Sequence, residues 1–227
     1  MHPSTTLAGS ESPVALPAFL DGFRAIHTAM RRDSTRLARI APFVGDRHQA
    51  RRLARWYAHF LVSIEHHHQR EDHIVWPLLV DREPGFAAEI ATLHHDHEVL
   101  DEALHAVSDA LRDLVDGIAT DPAALVDAAT RLSHHLEEHL DREEAVAFPT
   151  IARRFTAEEY HGLEDELRKG LSLPALAFEA PWVMDGLSAD EVASMFDGVP
   201  LALRVLYRLA FRPQYRRLSA ILEELSR

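Results

Sequence analysis

Apolar residues recur along most of the chain at alternating steps of three and four, the spacing that lines one face of an α-helix. Four long stretches carry the pattern. The first runs Leu20, Phe23, His27, Met30, Ser34, Leu37, and the second Phe60, Ile64, His67, Glu71, Ile74, Leu78. The third runs Ile90, Leu93, His97, Leu100, Leu104, Val107, Leu111, and the fourth Leu132, Leu136, His139, Glu143, Val146. Chain breakers set the limits. A first helix is predicted from about Pro17 to Ile40, ending at Pro42 and Gly45, and a second from about Asp46 to Val80, bent near its end by Pro77. Pro84-Gly85 precedes a third helix from about Phe86 to Val115. Asp121-Pro122 supplies a cap and a first-turn proline for a fourth helix, which reaches about Arg153 through Pro149. Thr156 with Glu159 is a capping-box signature opening a short fifth helix to about Leu171.

Long helices joined by short connections predict an all-α fold, an antiparallel up-down four-helix bundle over residues 14–155. From Leu173 the texture changes: Pro174, Pro181, Gly186, Gly198 and Pro200 interrupt shorter pieces, and Ser188 with Glu191 forms another capping box. Arg204, Arg208 and Arg212 recur every four residues beside Leu203, Leu206 and Leu209. Residues 156–227 therefore read as a helical appendage packed on the bundle, with a protein partner as the other use for such a face.

Each stripe is apolar except for a histidine and, in the second and fourth, a glutamate four residues later. Burying an imidazole or carboxylate without partners costs several kcal/mol, to order of magnitude. Six at similar depth would exceed the roughly 5–15 kcal/mol that holds a domain folded. The six must satisfy one another or be satisfied by cations. Imidazole suits iron, zinc, copper or nickel, and carboxylate can bridge two ions. The spacing of four puts His and Glu on one face, roughly 6 Å apart along the axis.

The chain also repeats itself. His67-His68-Gln69-Arg70-Glu71-Asp72-His73-Ile74-Val75-Trp76-Pro77 returns 72 residues later as His139-Leu140-Asp141-Arg142-Glu143-Glu144-Ala145-Val146-Ala147-Phe148-Pro149. Both read H-x-x-x-E-acid-x-apolar-x-aromatic-P. His27 and His97 stand 70 residues apart. Two copies of a helix pair, each giving His and then His plus Glu, predict a pseudo-twofold bundle with two metals at its centre. His66, His68, His73, His95 and His134 lie off the stripes and read as solvated groups or outer partners. His94 and His135, near a stripe histidine, are secondary candidates.

Composition narrows the chemistry. Among 227 residues there is no Cys, which excludes disulfides, thiolate zinc, iron–sulfur clusters and a Cys nucleophile. Histidine, by contrast, numbers 16. A formal charge of −12 argues against nucleic acid as a partner. The opening residues, with Pro3, Glu11, Pro13 and Pro17, show neither a secretory signal nor a transmembrane segment, so the expected location is cytoplasmic. His-Glu-x-x-His, Glu-x-x-His and Gly-rich phosphate loops are absent.

The order H … H-x-x-x-E … H … H-x-x-x-E resembles the hemerythrin-like, or HHE cation-binding, domain family over roughly Phe19 to Phe155, including the Trp76-Pro77 and Phe148-Pro149 endings. The resemblance implies a hemerythrin-like bundle holding two iron ions, an oxo- or hydroxo-bridged di-iron centre. His27, His67, His97 and His139 would be terminal ligands, and Glu71 and Glu143 bridging carboxylates. The oxygen-carrying members have H-x-x-x-H on the third helix and a closing aspartate. Here Leu93 and Asp101 flank His97, and Glu143 follows His139 by four. The four-His, two-Glu set looks more like the bacterial iron-centre-repair and iron-sensing branches. The tail, with Trp182, Tyr207 and Tyr215, is similar to that of actinobacterial hemerythrin-domain proteins.

The expected function is binding of, or reaction with, a small diatomic or peroxide ligand: oxygen, hydrogen peroxide or nitric oxide. Four imidazoles would leave an open position at each iron. In enzymatic form this is a di-iron oxidoreductase that breaks down peroxide or handles nitric oxide, a role in oxidative stress. The alternative is a non-enzymatic iron or oxygen sensor, or an iron-handling protein.

Overall fold

A computed structural model describes residues 16–227. The expected start of the bundle at residue 14, and the opening segment examined for a secretory signal (Pro3, Glu11, Pro13), lie outside the described residues. Among those described, the chain is helical and has no strand.

A short 3-10 turn, Ala18–Leu20, leads into α1 (Asp21–Ile40). Helix α2 (Arg47–Arg70) is capped by Asp46, whose side chain accepts the Gln49 N–H. It runs through one wide π-turn, Glu71–Val75, into α3 (Trp76–Arg82). Helix α4 spans Ala87–Asp116, and α5 spans Ala123–Arg154 straight through Pro149. Gly117 ends α4 with φ +75, a left-handed cap that favours glycine. Both capping boxes form reciprocally, Thr156–Glu159 opening α6 (Ala157–Arg168) and Ser188–Glu191 opening α8 (Ala189–Met195).

The wide turn is where the second predicted helix departs from a uniform one. Pro77 has no N–H, and its ring would crowd the carbonyl one turn back. The Trp76 N–H instead reaches five residues back to the Glu71 carbonyl. The expected stripe Ile74, Leu78 is only partly covered; Val75 and Leu79 are the buried positions. The buried row thus proceeds in steps of four: His67, Glu71, Val75, Leu79. Each step overshoots an ideal turn by roughly 40°, and the wide turn absorbs part of that drift. In α5 the row His139, Glu143, Ala147, Ile151 does the same, displacing the expected Val146.

Helix α4 packs between α2 and α5, and α1 packs on α5. Along the seam between α1 and α2 the tail comes in: α7 (Leu173–Val183) and α10 (Arg212–Leu225) each touch both helices. Phe178, Trp182, Tyr215, Ile221 and Leu222 belong to the same buried cluster as Trp56, Phe60, Leu104 and Leu132. Polar bonds fix the junction. Buried Asp33 accepts the Trp182 indole N–H at 2.9 Å and the Arg32 guanidinium at 2.8 and 3.1 Å. The expected packed stripe Leu203, Leu206, Leu209 does not form. In α9 (Leu201–Leu206) and the wide turn after it, Leu203 and Leu209 face outward, while Tyr207 and Phe211 are buried.

A second apolar cluster, with Leu20, Phe23, Trp76, Phe86, Phe148 and Phe155, fills the other end of the bundle. A layer of histidine and glutamate lies between the two.

Candidate metal centre

All six stripe residues are buried: His27, His67, Glu71, His97, His139 and Glu143 are each at most 7 % exposed. They come from α1, α2, its wide turn, α4 and α5, and they face one another. Nε2 of His27 and Nε2 of His67 lie 3.2 Å apart. Each carboxylate spans the cluster. Glu71 sets Oε1 2.8 Å from His67 Nε2 and Oε2 3.6 Å from His97 Nε2. Glu143 sets Oε1 3.6 Å from His27 Nε2 and Oε2 3.3 Å from His139 Nε2. One oxygen of each acid therefore faces the His27/His67 side and the other faces the His97/His139 side.

Outer acids orient the rings, and they do so with the symmetry of the repeat. His27 Nδ1 donates to Glu144 Oε1 at 2.9 Å, and His97 Nδ1 donates to Asp72 Oδ1 at 3.0 Å. A carboxylate only accepts, so Nδ1 carries the proton and Nε2 keeps its lone pair for the centre. The acid directly after each stripe glutamate thus serves the lone histidine of the opposite half. Glu144 is further held by Arg31 at 3.2 Å, and Asp72 by His94 Nε2 at 3.2 Å. Asp96 lies 3.7 Å from His139 Nδ1 and pairs with Arg142.

His68 corrects the sequence reading. It is neither solvated nor an outer partner but 3 % exposed, stacked on His97 (centroids 4.1 Å apart, 10° between planes) and edge-on to His139 at 5.3 Å. A strict three-four stripe picks His67 after Ile64 and passes over His68, which is four residues beyond Ile64 and equally inward. The repeat held the missing signal, since the matching position is Leu140, an apolar residue that is fully buried. His94, His95, His73 and His134 are exposed, and His66 and His135 are partly so.

The donor set fits cations. Two groups bring their ligand atoms within 4.8 Å of one another: His27, His67, Glu71 and Glu143, and then His68, His97 and His139. Both carboxylate oxygens of Glu71 and of Glu143, both ring nitrogens of His68 and of His139, and Nε2 of His97 are buried without a hydrogen-bond partner. So many orphaned buried acceptors are rare in a folded protein unless an ion or water completes them. Burial, and then the neighbouring imidazoles, push His67 and His68 well below the usual histidine range. Both rings are therefore neutral, as ligands must be. Burial pushes both acids up, but His27 and then His139 bring Glu143 down to about 2, whereas repulsion from Glu143 adds to the rise at Glu71. Without cations the pair keeps a proton on Glu71; cations would displace it.

Compared with known families, residues 18–151 match the family model described as the hemerythrin HHE cation binding domain. Neither the curated proteins nor the solved structures contain a match to the chain. No helix among the described residues is long and apolar enough to cross a membrane.

Proposed function

The chain belongs to the hemerythrin HHE cation-binding family, and from that premise we propose that it is a non-haem di-iron protein that reacts with a small oxidant: oxygen, hydrogen peroxide or nitric oxide. His27, His67, His97 and His139 are its terminal ligands, and Glu71 and Glu143 its bridges. The observation that carries this reading is the split of each carboxylate, one oxygen toward each pair of histidines. Two irons so held supply electrons and Lewis acidity to an oxidant at a free coordination position.

The residues around them perform the remaining tasks. Glu144 and Asp72 hold the Nδ1 protons of His27 and His97, which keeps both rings neutral and aimed inward. Phe23, edge-on to His27 and His67 at 4.8 and 5.5 Å, and Phe148, stacked on His27 at 5.6 Å, exclude water from that side. Half-exposed His94, on Asp72, exchanges protons between solvent and the acid that orients His97. We assign the bundle to residues 14–155 and the helical appendage to 156–227, in a cytoplasmic protein whose partner is a small molecule rather than nucleic acid.

A second reading, an iron or oxygen sensor, draws on the Asp33–Trp182 junction, where α1, which carries His27, meets the tail. Iron-loaded protein decides between presence and absence of the chemistry. About two irons per chain and a visible spectrum that changes with peroxide, oxygen or nitric oxide support the main reading. Iron with no spectral response to any of the three removes it and leaves the sensor.

A further inference from the structure

The repeat makes the two halves of the centre look equivalent, and one position breaks the equivalence. His68 in the first copy is Leu140 in the second, and both are buried. We propose that His68 is a seventh ligand, so that the two metal positions differ: three imidazoles hold the ion on the His97/His139 side, two hold the ion on the His27/His67 side, and the small ligand binds on the latter. This rests on the di-metal reading above.

Three observations carry it. His68 has two ring nitrogens without partners although it is 3 % exposed, and a ring buried without partners needs an acceptor of its lone pair. Its ligand nitrogen lies within 4.8 Å of those of His97 and His139, while the other compact group contains His27 and His67 and not His68. Its partnerless nitrogens also separate it from the outer histidine His94, whose ring is on Asp72. Counting one nitrogen per histidine and one oxygen per acid gives five donors on one side and four on the other. Six-coordinate ions then have more room on the four-donor side. His67, on that side, is the most exposed residue of the cluster at 7 %, which is where a small molecule reaches it.

Titration of the full-length apo-protein with Co(II), followed by visible absorption, tests this without enzymatic turnover. Wild type should bind two Co(II) in distinguishable steps, and azide should perturb the bands of one only. His68→Leu, which copies the second repeat, should weaken one step at least about tenfold and spare the other. The spared step should be the azide-sensitive one. His68→Ala should lose the same step and regain it with added imidazole, which a packing defect would not do. If both variants bind both ions within about threefold of wild type, or if imidazole restores nothing, the seventh ligand is wrong while the di-metal centre stands. If azide perturbs the step that depends on His68, the side assigned to the small ligand is wrong. If wild type takes up no Co(II), the di-metal reading itself fails, and this inference with it.

Discussion

Replacing Asp33 with Ala tests how the tail is bound to the helix that carries His27. The carboxylate is fully buried and accepts three N–H groups, from Trp182 at 2.9 Å and from Arg32 at 2.8 and 3.1 Å. Removing it leaves the buried indole N–H unpaired, which costs about 1–3 kcal/mol. It also strips Arg32 of its counter-charge. Arg32 is 26 % exposed, so water compensates part of that loss and about 1–2 kcal/mol remains. The sum, about 2–5 kcal/mol, lowers Tm by roughly 4–20 °C in a chain of this length. Thermal unfolding by circular dichroism reads the loss. Limited proteolysis should show cleavage across α7 to α10 before the bundle opens. Trp182→Phe removes the donor instead of the acceptor, and the double variant should cost less than the two singles added, by about 0.5–3 kcal/mol. Asp33 lies six residues beyond His27, roughly 9 Å along the axis, so metal content should stay at the wild-type level. A Tm shift under 2 °C for Asp33→Ala, or strictly additive singles, would refute the claim that this carboxylate holds tail and bundle together.

The same geometry sets three further expectations. Stripping metal with a chelator should cost about 5 kcal/mol relative to protein with two ions each at 100 times its Kd, at about 2.7 kcal/mol per ion; unchanged calorimetric unfolding after complete removal would contradict it. Glu144→Gln and Asp72→Asn keep the shape of the outer acids but weaken the hold on Nδ1, so each should lower metal affinity by about 10–100-fold in a competition titration; Glu137→Gln, at the exposed rim of the Arg31 pairing, should not. The apo-protein should be most stable near pH 6.5. Folded His67 and His68 lie below their unfolded value of 6.5, so acid is taken up by the unfolded chain and stability falls as pH drops below that value. Glu71 lies well above its unfolded value of 4.5, so its contribution is present at low pH and lost as pH rises through the folded value. Two groups against one leave stability rising up to 6.5 and falling beyond it; urea titrations of metal-free protein across pH 5 to 8 would show a flat profile if these groups were solvated.

The stripes made the bundle and six of the seven cluster residues legible, because an imidazole or acid at a core-facing position has to be met by something of opposite character. The outer acids were also visible, as the second carboxylate of H-x-x-x-E-acid, though their crossing to the opposite half emerges only when α1 is set against α5. His68 was missed because a narrow stripe admits one residue per turn, whereas α2 buries adjacent pairs at Trp56-Tyr57, Ser63-Ile64 and His67-His68. The wide turn at Glu71–Val75 was hidden because Pro77 signals a disturbance without saying whether the helix ends or widens. Asp33 looked like an ordinary surface acid on α1. Its partner Trp182 is 149 residues away, and no local pattern links two such positions.

Crystals of the iron-loaded protein, measured on both sides of the iron absorption edge, test the central claim most directly. Two anomalous peaks are expected about 3.5–4 Å apart, one beside His27 and His67, one beside His97 and His139, with Glu71 and Glu143 each touching both. A single peak, or iron bound away from these carboxylates, would contradict it.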